Sequence, residues 1–339
     1  MTNAQNRTGR RPRVLSLVEL GGPSVDRLRR VADLTLRPWT ESQELVDPLE
    51  LAAEIEEHGF GALFIEADFI FEETIVGAPT LRFLGICRAD HGHVDLDAAA
   101  AAGIAVANTP GRNSHAVAEL TLTLMLNLVR PVIEASTFVA AGDWADPTAG
   151  YFGFRGTELG GQTVGIIGLG AIGRRTAALL RPFGCRILAS DPAVSAEEMQ
   201  ALGCTAATLD ELLAAATLVA VHCPALPETQ GLIDAAALAR MPAGARLVAT
   251  TGESVVDTAA LAAALEAGHL AGAALDVFET HPVPPDHPLL SAPNVILLPH
   301  IGGATDVTVV RHTDMIVDDY LRFLSGEPLL NSVQPYVPS

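Results

Sequence analysis

Three glycines constrain this chain more than any other feature. The apolar run Thr163-Val-Gly-Ile-Ile167 enters Gly168-Leu-Gly-Ala-Ile-Gly173 without a break, and Arg174–Leu180 continues in a helical pattern. Strand, glycine turn and helix in that order form the opening of a βαβ unit. Gly168 permits the tight turn, Gly170 lets a ligand approach the backbone, and Gly173 lets helix and strand pack closely. The first helical turn, with Ala171 and Ile172, then offers unpaired N–H groups and the positive end of a dipole, which together attract phosphate. The next strand, Arg186–Ala189, leads to Asp191, eighteen residues after Gly173. A carboxylate there accepts the ribose hydroxyls of an adenosine and repels a 2′-phosphate. The pattern predicts a dinucleotide site that favours NAD over NADP.

The rest of the chain repeats the same rhythm. Short apolar runs at Val14–Val18, Ala62–Ile65, Arg82–Cys87 and Ile104–Ala107 alternate with helical stretches such as Pro48–His58 and Leu96–Ala102. A second series begins at Thr163–Ile167 and continues through Arg186–Ala189, Leu218–His222, Arg246–Ala249, Ala273–Leu275 and Val295–Leu298. Alternation of this kind predicts an α/β protein with two tandem doubly wound parallel-sheet domains, the second a Rossmann dinucleotide-binding domain. A helical pattern from His115 to Val132 and a loop through Phe154 lie between the two series. The helix after Thr305 is too little for a third domain and is expected to pack back on the first. The expected division is a disordered tail over 1–13, an outer flavodoxin-like domain over 14–108 plus 304–339, and the dinucleotide-binding domain over 109–303.

Charge excludes several partners. The net charge is −19 and the pI about 4.8, whereas nucleic acid and anionic membranes require a basic footprint. All 21 basic residues are arginine, so no lysine is available for Schiff-base chemistry. Cys87, Cys185, Cys204 and Cys223 form no CxxC pair and sit in apolar stretches, as expected of reduced thiols in a cytoplasmic protein. Arg10-Arg11 faintly resembles a twin-arginine signal, but Glu19 ends the apolar run that follows after Val18, too early for a signal peptide.

Beyond the glycine turn, further stretches carry a family resemblance. They are Asn108-Thr-Pro-Gly-Arg-Asn113 with Ala116-Val-Ala-Glu119, Glu158–Gly168, His222–Thr229, Ala274-Leu-Asp-Val-Phe278 and Pro299-His-Ile-Gly-Gly-Ala304. From about Gly61 to Pro335 the chain resembles the D-2-hydroxyacid dehydrogenases, which include phosphoglycerate and formate dehydrogenases. The resemblance implies an NAD-binding oxidoreductase with a cleft between its domains. It also implies a homodimer built on the cofactor domains, with a dimerisation segment at about 115–155. It implies that His222, Cys223 and Pro224 line the adenosine side and that Thr250, Thr251 and Gly252 flank the nicotinamide ribose. Asp276 would meet the nicotinamide amide, with Gly302 and Gly303 beside the catalytic histidine, His300.

The same alignment shows what is missing. The family uses a histidine, a carboxylate that favours its protonated form, and an arginine that grips the substrate carboxylate. His300 is the histidine, but Gly252 occupies the arginine's place, with Glu253 after it, and His281 occupies the carboxylate's place. A second imidazole works against a proton on the first, because like charges disfavour each other. A lost charge-assisted contact is worth roughly 1.5–3 kcal/mol per hydrogen bond, so ordinary 2-keto acids should be poor substrates. A neutral His300 suits proton acceptance during alcohol oxidation. In the outer domain, Arg88, Asp90 and His91 are the substrate-binding candidates. Arg88 either replaces the missing cation or pairs with Asp90. His91, His93, His281 and His300 lack a dedicated carboxylate or cysteine ligand, so no metal is expected. Three functions remain open on the sequence: an oxidoreductase acting on a small hydroxy or oxo substrate, a non-catalytic NAD(H)-binding dimer, and an enzyme of another reaction class on the same scaffold.

Overall fold

The computed structural model describes residues 11–334. By its internal contacts the chain forms two units, one ending at Arg112 and resuming at Thr305, the other running Asn113–Ala304.

The first unit opens with β1 (Arg13–Ser16), α1 (Ser24–Val31), β2 (Asp33–Leu36), α2 (Trp39–Ser42), α3 (Pro48–His58) and β3 (Ala62–Ile65). It continues with α4 (Glu72–Gly77), β4 (Phe83–Ile86), α5 (Leu96–Ala101) and β5 (Ala105–Asn108). All five strands are parallel, in the order β2-β1-β3-β4-β5, the flavodoxin-like arrangement. The strands β3, β4 and β5 are buried at every residue, which is why they read as unbroken apolar runs. Local chemistry sets the helix ends. The Asp47 carboxylate accepts from the N–H groups of Leu49 and Glu50, Pro48 opens α3, and Gly59 closes it in the left-handed region.

Two details differ from the sequence reading. The disorder expected of the tail through residue 13 does not hold for residues 11–13. Arg11 pairs with Asp33 at 3.4 Å, the Asp33 N–H donates to the Pro12 carbonyl, and Arg13 begins β1. Sheet-edge hydrogen bonds recruit polar residues as readily as apolar ones, so hydropathy misplaced this boundary. Residues 1–10 of that tail lie outside the described residues. At the other boundary, Thr109–Arg112 belong with the first unit, because Arg112 is bonded to Glu66 and His312.

The second unit begins with α6 (Ser114–Val129), α7 (Val132–Ala140) and α8 (Ala149–Gly153), followed by β6 (Thr163–Ile167), α9 (Ala171–Leu180) and β7 (Arg186–Ser190). Then come α10 (Ala196–Ala201), β8 (Thr205–Ala206), α11 (Leu209–Ala215), β9 (Leu218–Val221), α12 (Ala235–Arg240) and β10 (Ala245–Ala249). The unit ends with α13 (Thr258–Glu266), β11 (Leu270–Leu275) and β12 (Val295–Leu297). Its seven parallel strands run β12-β11-β10-β9-β6-β7-β8. Strand order reverses between β6 and β9, and such a switch point opens a crevice beyond the carboxyl ends of the strands. Two apolar clusters, one on each face of the sheet, form the core. Leu212, Val219, Leu247 and Leu261 belong to one, and Val164, Ile166, Leu180 and Ala220 to the other.

The chain returns to the first unit as α14 (Asp306–Ser325), capped by Thr305 and ended by Gly326. Tyr320 packs edge-on against Phe64 and Phe83, at 5.7 and 5.2 Å between ring centres. A Cβ at Gly85 would come within 2.5 Å of Ile316, so β4 needs a glycine where this helix crosses it. Among the described residues no single helix is long and apolar enough to cross a membrane.

Candidate active site

Every nucleotide-site residue expected from the sequence lies at the carboxyl edge of the seven-stranded sheet, in loops that follow six different strands. Gly168 leaves β6 at φ +92°, and a Cβ there would come within 2.6 Å of the Cys223 N atom. A Cβ at Gly173 would lie 2.0 Å from the Gly168 carbonyl oxygen. A Cβ at Gly170 would meet nothing within 4 Å. Two glycines are thus demanded by packing, and the middle one leaves bare backbone facing open space at the start of α9. That is the surface a pyrophosphate needs.

Asp191 follows β7 and braces the cradle. One of its oxygens accepts from the Leu169 N–H at 2.7 Å and the other from the Ala193 N–H at 2.8 Å. Each oxygen keeps a second lone pair, so the carboxylate can still receive ribose hydroxyls. Across the switch point, the His222 ring is held by the hydroxyls of Thr176 (3.3 Å) and Thr250 (2.9 Å). Burial pushes its pKa down to about 4, which keeps it neutral. The Thr251 hydroxyl donates to the Cys223 carbonyl, so Thr250, Thr251 and the loop His222–Pro224 form one hydrogen-bonded wall. The residues present therefore fit NAD.

The residues expected to react or to support the reaction follow β10, β11 and β12. Asp276, fully buried after β11, accepts from the backbone N–H groups of Ile301 (2.8 Å) and Gly302 (2.7 Å). This carboxylate fixes the turn that carries His300, whose φ of +58° is unusual for a residue with a side chain. A Cβ at Gly302 would strike the same carboxylate at 2.7 Å, and one at Gly303 would crowd Asn113 at 3.2 Å. The family resemblance implies a nicotinamide role for Asp276; its anchoring of the histidine turn needed the fold to be seen. His281 stacks on His300, with ring centres 5.3 Å apart and planes inclined by 29°.

Gly252 has ordinary φ and ψ of −55° and 141°, so its backbone does not require glycine. Its surroundings do, because a Cβ would come within 2.9 Å of the Ala225 Cβ. Glu253 has both oxygens hydrogen-bonded, to His287, Thr258 and the Glu279 N–H. Ala225 and His287 were not singled out in the sequence, and Glu253 was noted there only as the residue after Gly252. Glu253 and His287 are thirty-four positions apart, a spacing that carries no motif.

The outer-domain candidates belong to the first unit. Arg88, in the loop after β4, lies 3.4 Å from Asp90, and both are solvent-exposed. His91 shares that loop. His93 is buried against Phe69, and burial followed by the Arg88 charge lowers its pKa. Among the described residues no group of three or more histidine, cysteine or acidic side chains is placed to hold a metal ion.

Comparison with known proteins gives several matches. The profile of the D-isomer specific 2-hydroxyacid dehydrogenase, NAD-binding domain, matches residues 122–302. A glyoxylate reductase of Thermofilum pendens is 36% identical over 94% of this chain and 93% of its own. A D-3-phosphoglycerate dehydrogenase of Bacillus subtilis is 34% identical over 88% of this chain, which spans only 56% of that longer relative. The holo structure of Rhodotorula graminis D-mandelate dehydrogenase superposes with a TM-score of 0.83 at 27% identity, covering 97% of this chain and 99% of that one.

Proposed function

The chain belongs to the D-isomer specific 2-hydroxyacid dehydrogenase family, and from that membership we propose an NAD-dependent oxidoreductase acting on a small hydroxy or oxo substrate other than an ordinary 2-keto acid. One observation carries the reading. Asp276 clamps the His300 turn at the same sheet edge as the dinucleotide cradle, so an imidazole is fixed where a proton must move.

The amides of α9 and the Asp191 carboxylate hold the pyrophosphate and adenosine ribose. Bound NAD supplies the carbon that accepts or returns a hydride. His300 takes the hydroxyl proton at an imidazole nitrogen as the alcohol becomes a carbonyl, and returns it in the reverse direction. His281, stacked on it, opposes a second positive charge on the pair. The direction this reading favours is oxidation, in which His300 accepts the proton. Gly252 leaves this wall without a guanidinium, which selects against substrates anchored by a carboxylate at that point. On the first unit, Arg88 remains the cation offered to a substrate anion, with Asp90 and His91 beside it. Its exposed pair with Asp90 is worth under about 1 kcal/mol and yields readily.

The working form is a homodimer. In α7, α8 and the segment between them, Val132, Ile133, Val139, Trp144, Tyr151 and Phe152 are exposed, an apolar surface that a second copy would cover. The four cysteines are unbonded, in keeping with a reducing cytoplasm.

Stoichiometric NADH formation across a panel of alcohols and 2-hydroxy acids, run in both directions, tests the function. Turnover of a non-acid alcohol with preference for oxidation supports it. Tight NADH binding without turnover of any substrate overturns it, and a clear preference for reduction at neutral pH overturns the direction.

A further inference from the structure

The loop that carries His281 is closed by a single side chain. Glu253 lies one residue beyond the glycine at the family's arginine position, in the turn after β10. One of its carboxylate oxygens accepts from the Glu279 N–H at 2.9 Å, and the other accepts from His287 Nε2 at 2.7 Å. Glu279 and His287 flank residues 280–286, and His281 lies within that interval. The carboxylate therefore joins both ends of the loop. The Thr258 hydroxyl donates to the same oxygen as His287, at 3.1 Å, and ties the junction to the start of α13.

The junction is built to last. The side chains of His287 and Glu253 are only 8% and 14% exposed, so water competes poorly for their hydrogen bonds. His287 Nδ1 accepts from the Leu289 N–H, which leaves Nε2 as the protonated nitrogen and fixes the tautomer that donates to Glu253. The edge of the His287 ring meets Phe278 at 5.5 Å between centres. Burial raises the Glu253 pKa, but the hydrogen bonds from His287, Glu279 and Thr258 outweigh it, and the net shift is downward. The carboxylate stays ionised and keeps accepting.

We propose that Glu253 is a positioning residue, whose bonds to Glu279 and His287 staple the 279–287 loop and set the His281 ring against His300. The proposal rests on the reading of those two histidines as the reacting corner. An unclosed loop of this length would sample many conformations, and two fixed ends remove most of them. His281 is exposed, and beyond its stacking on His300 its position depends on the backbone that carries it.

Two measurements on the full chain decide the matter. In hydrogen exchange, the Glu279 amide should exchange at least about tenfold faster in Glu253→Ala than in the wild type, with Glu253→Gln intermediate. His287→Phe keeps a ring against Phe278 and breaks one end only. It should speed exchange at the Asp286 and His287 amides while Glu279 stays protected. In turnover, Glu253→Ala should lower kcat about tenfold with KM for NAD unchanged, yet have less than about a twofold effect in a His281→Ala background. A merely structural role would cost the same in both backgrounds. Equal losses, or unchanged exchange at Glu279, overturn the proposal. Exchange reads the staple even in a chain without turnover, so failure of the proposed function would be seen separately.

Discussion

The dinucleotide cradle and the reacting corner share one sheet edge but are built from different materials. The cradle is mostly backbone: amides of α9, Gly168 and Gly173 with no room for a Cβ, and Asp191 bonded to two main-chain N–H groups. The corner consists of side chains on loops, and two carboxylates, Asp276 and Glu253, hold those loops. A backbone site has few substitutions available to it, since its groups are common to every residue. A corner made of side chains can change residues at positions such as 252 and 281 without disturbing the strands beneath. That difference lets family membership stay plain whatever side chains stand at positions 252 and 281.

The comparison can be broken or sharpened in four ways. His300→Asn should lower kcat by about 10²–10⁴ with NADH affinity unchanged, because only proton transfer is removed. Steady-state kinetics beside a fluorescence titration checks this, and a loss of affinity would show that cradle and corner are not separable. Gly173→Ala should do the reverse. The 2.0 Å clash with the Gly168 carbonyl costs up to about 3 kcal/mol, which is a loss of about a hundredfold in NADH affinity if the turn is displaced. A melting curve identifies the alternative in which the fold itself fails.

Acid tests the wall between them. His222 has a folded-state pKa of about 4 against an ordinary 6.5. Between those values the unfolded chain binds a proton that the folded chain refuses, so stability falls as pH falls. The total is about 3 kcal/mol. Urea titrations from pH 7 to 4 should show this slope reduced by one proton in His222→Asn. The smallest effect is expected from restoring the family's cation. Gly252→Arg alone is obstructed by Ala225, so the informative variant pairs it with Ala225→Gly. We expect about a tenfold gain in kcat/KM on glyoxylate, equivalent to one recovered charge-assisted contact. No gain would mean that the guanidinium's absence is not what excludes keto acids.

Legibility in the sequence followed burial. Strands β3, β4, β5 and β9 are buried throughout and read directly as apolar runs. Strand β2 is a largely exposed edge strand, and β8 has only two residues. Neither leaves a hydropathy pattern to find. The long helical segment from His115 breaks into α6 and α7 at Arg130–Pro131, as a proline after an apolar helix should make it do. The positions of Gly252 and His281 could be read by alignment alone. Their surroundings could not, because Ala225, Asp276 and Glu253 act on partners distant in sequence.

The sequence by itself determined two doubly wound sheets, the glycine turn that leads to Asp191, and which residues stand at positions 252, 281 and 300, because these are properties of local pattern and residue identity. The tertiary structure alone decided that Asp276 anchors the His300 turn, that Ala225 blocks a side chain at Gly252, and that Glu253 closes the loop bearing His281. Each of these is a contact between loops following different strands, and chain spacing carries no information about which loops a sheet edge brings together.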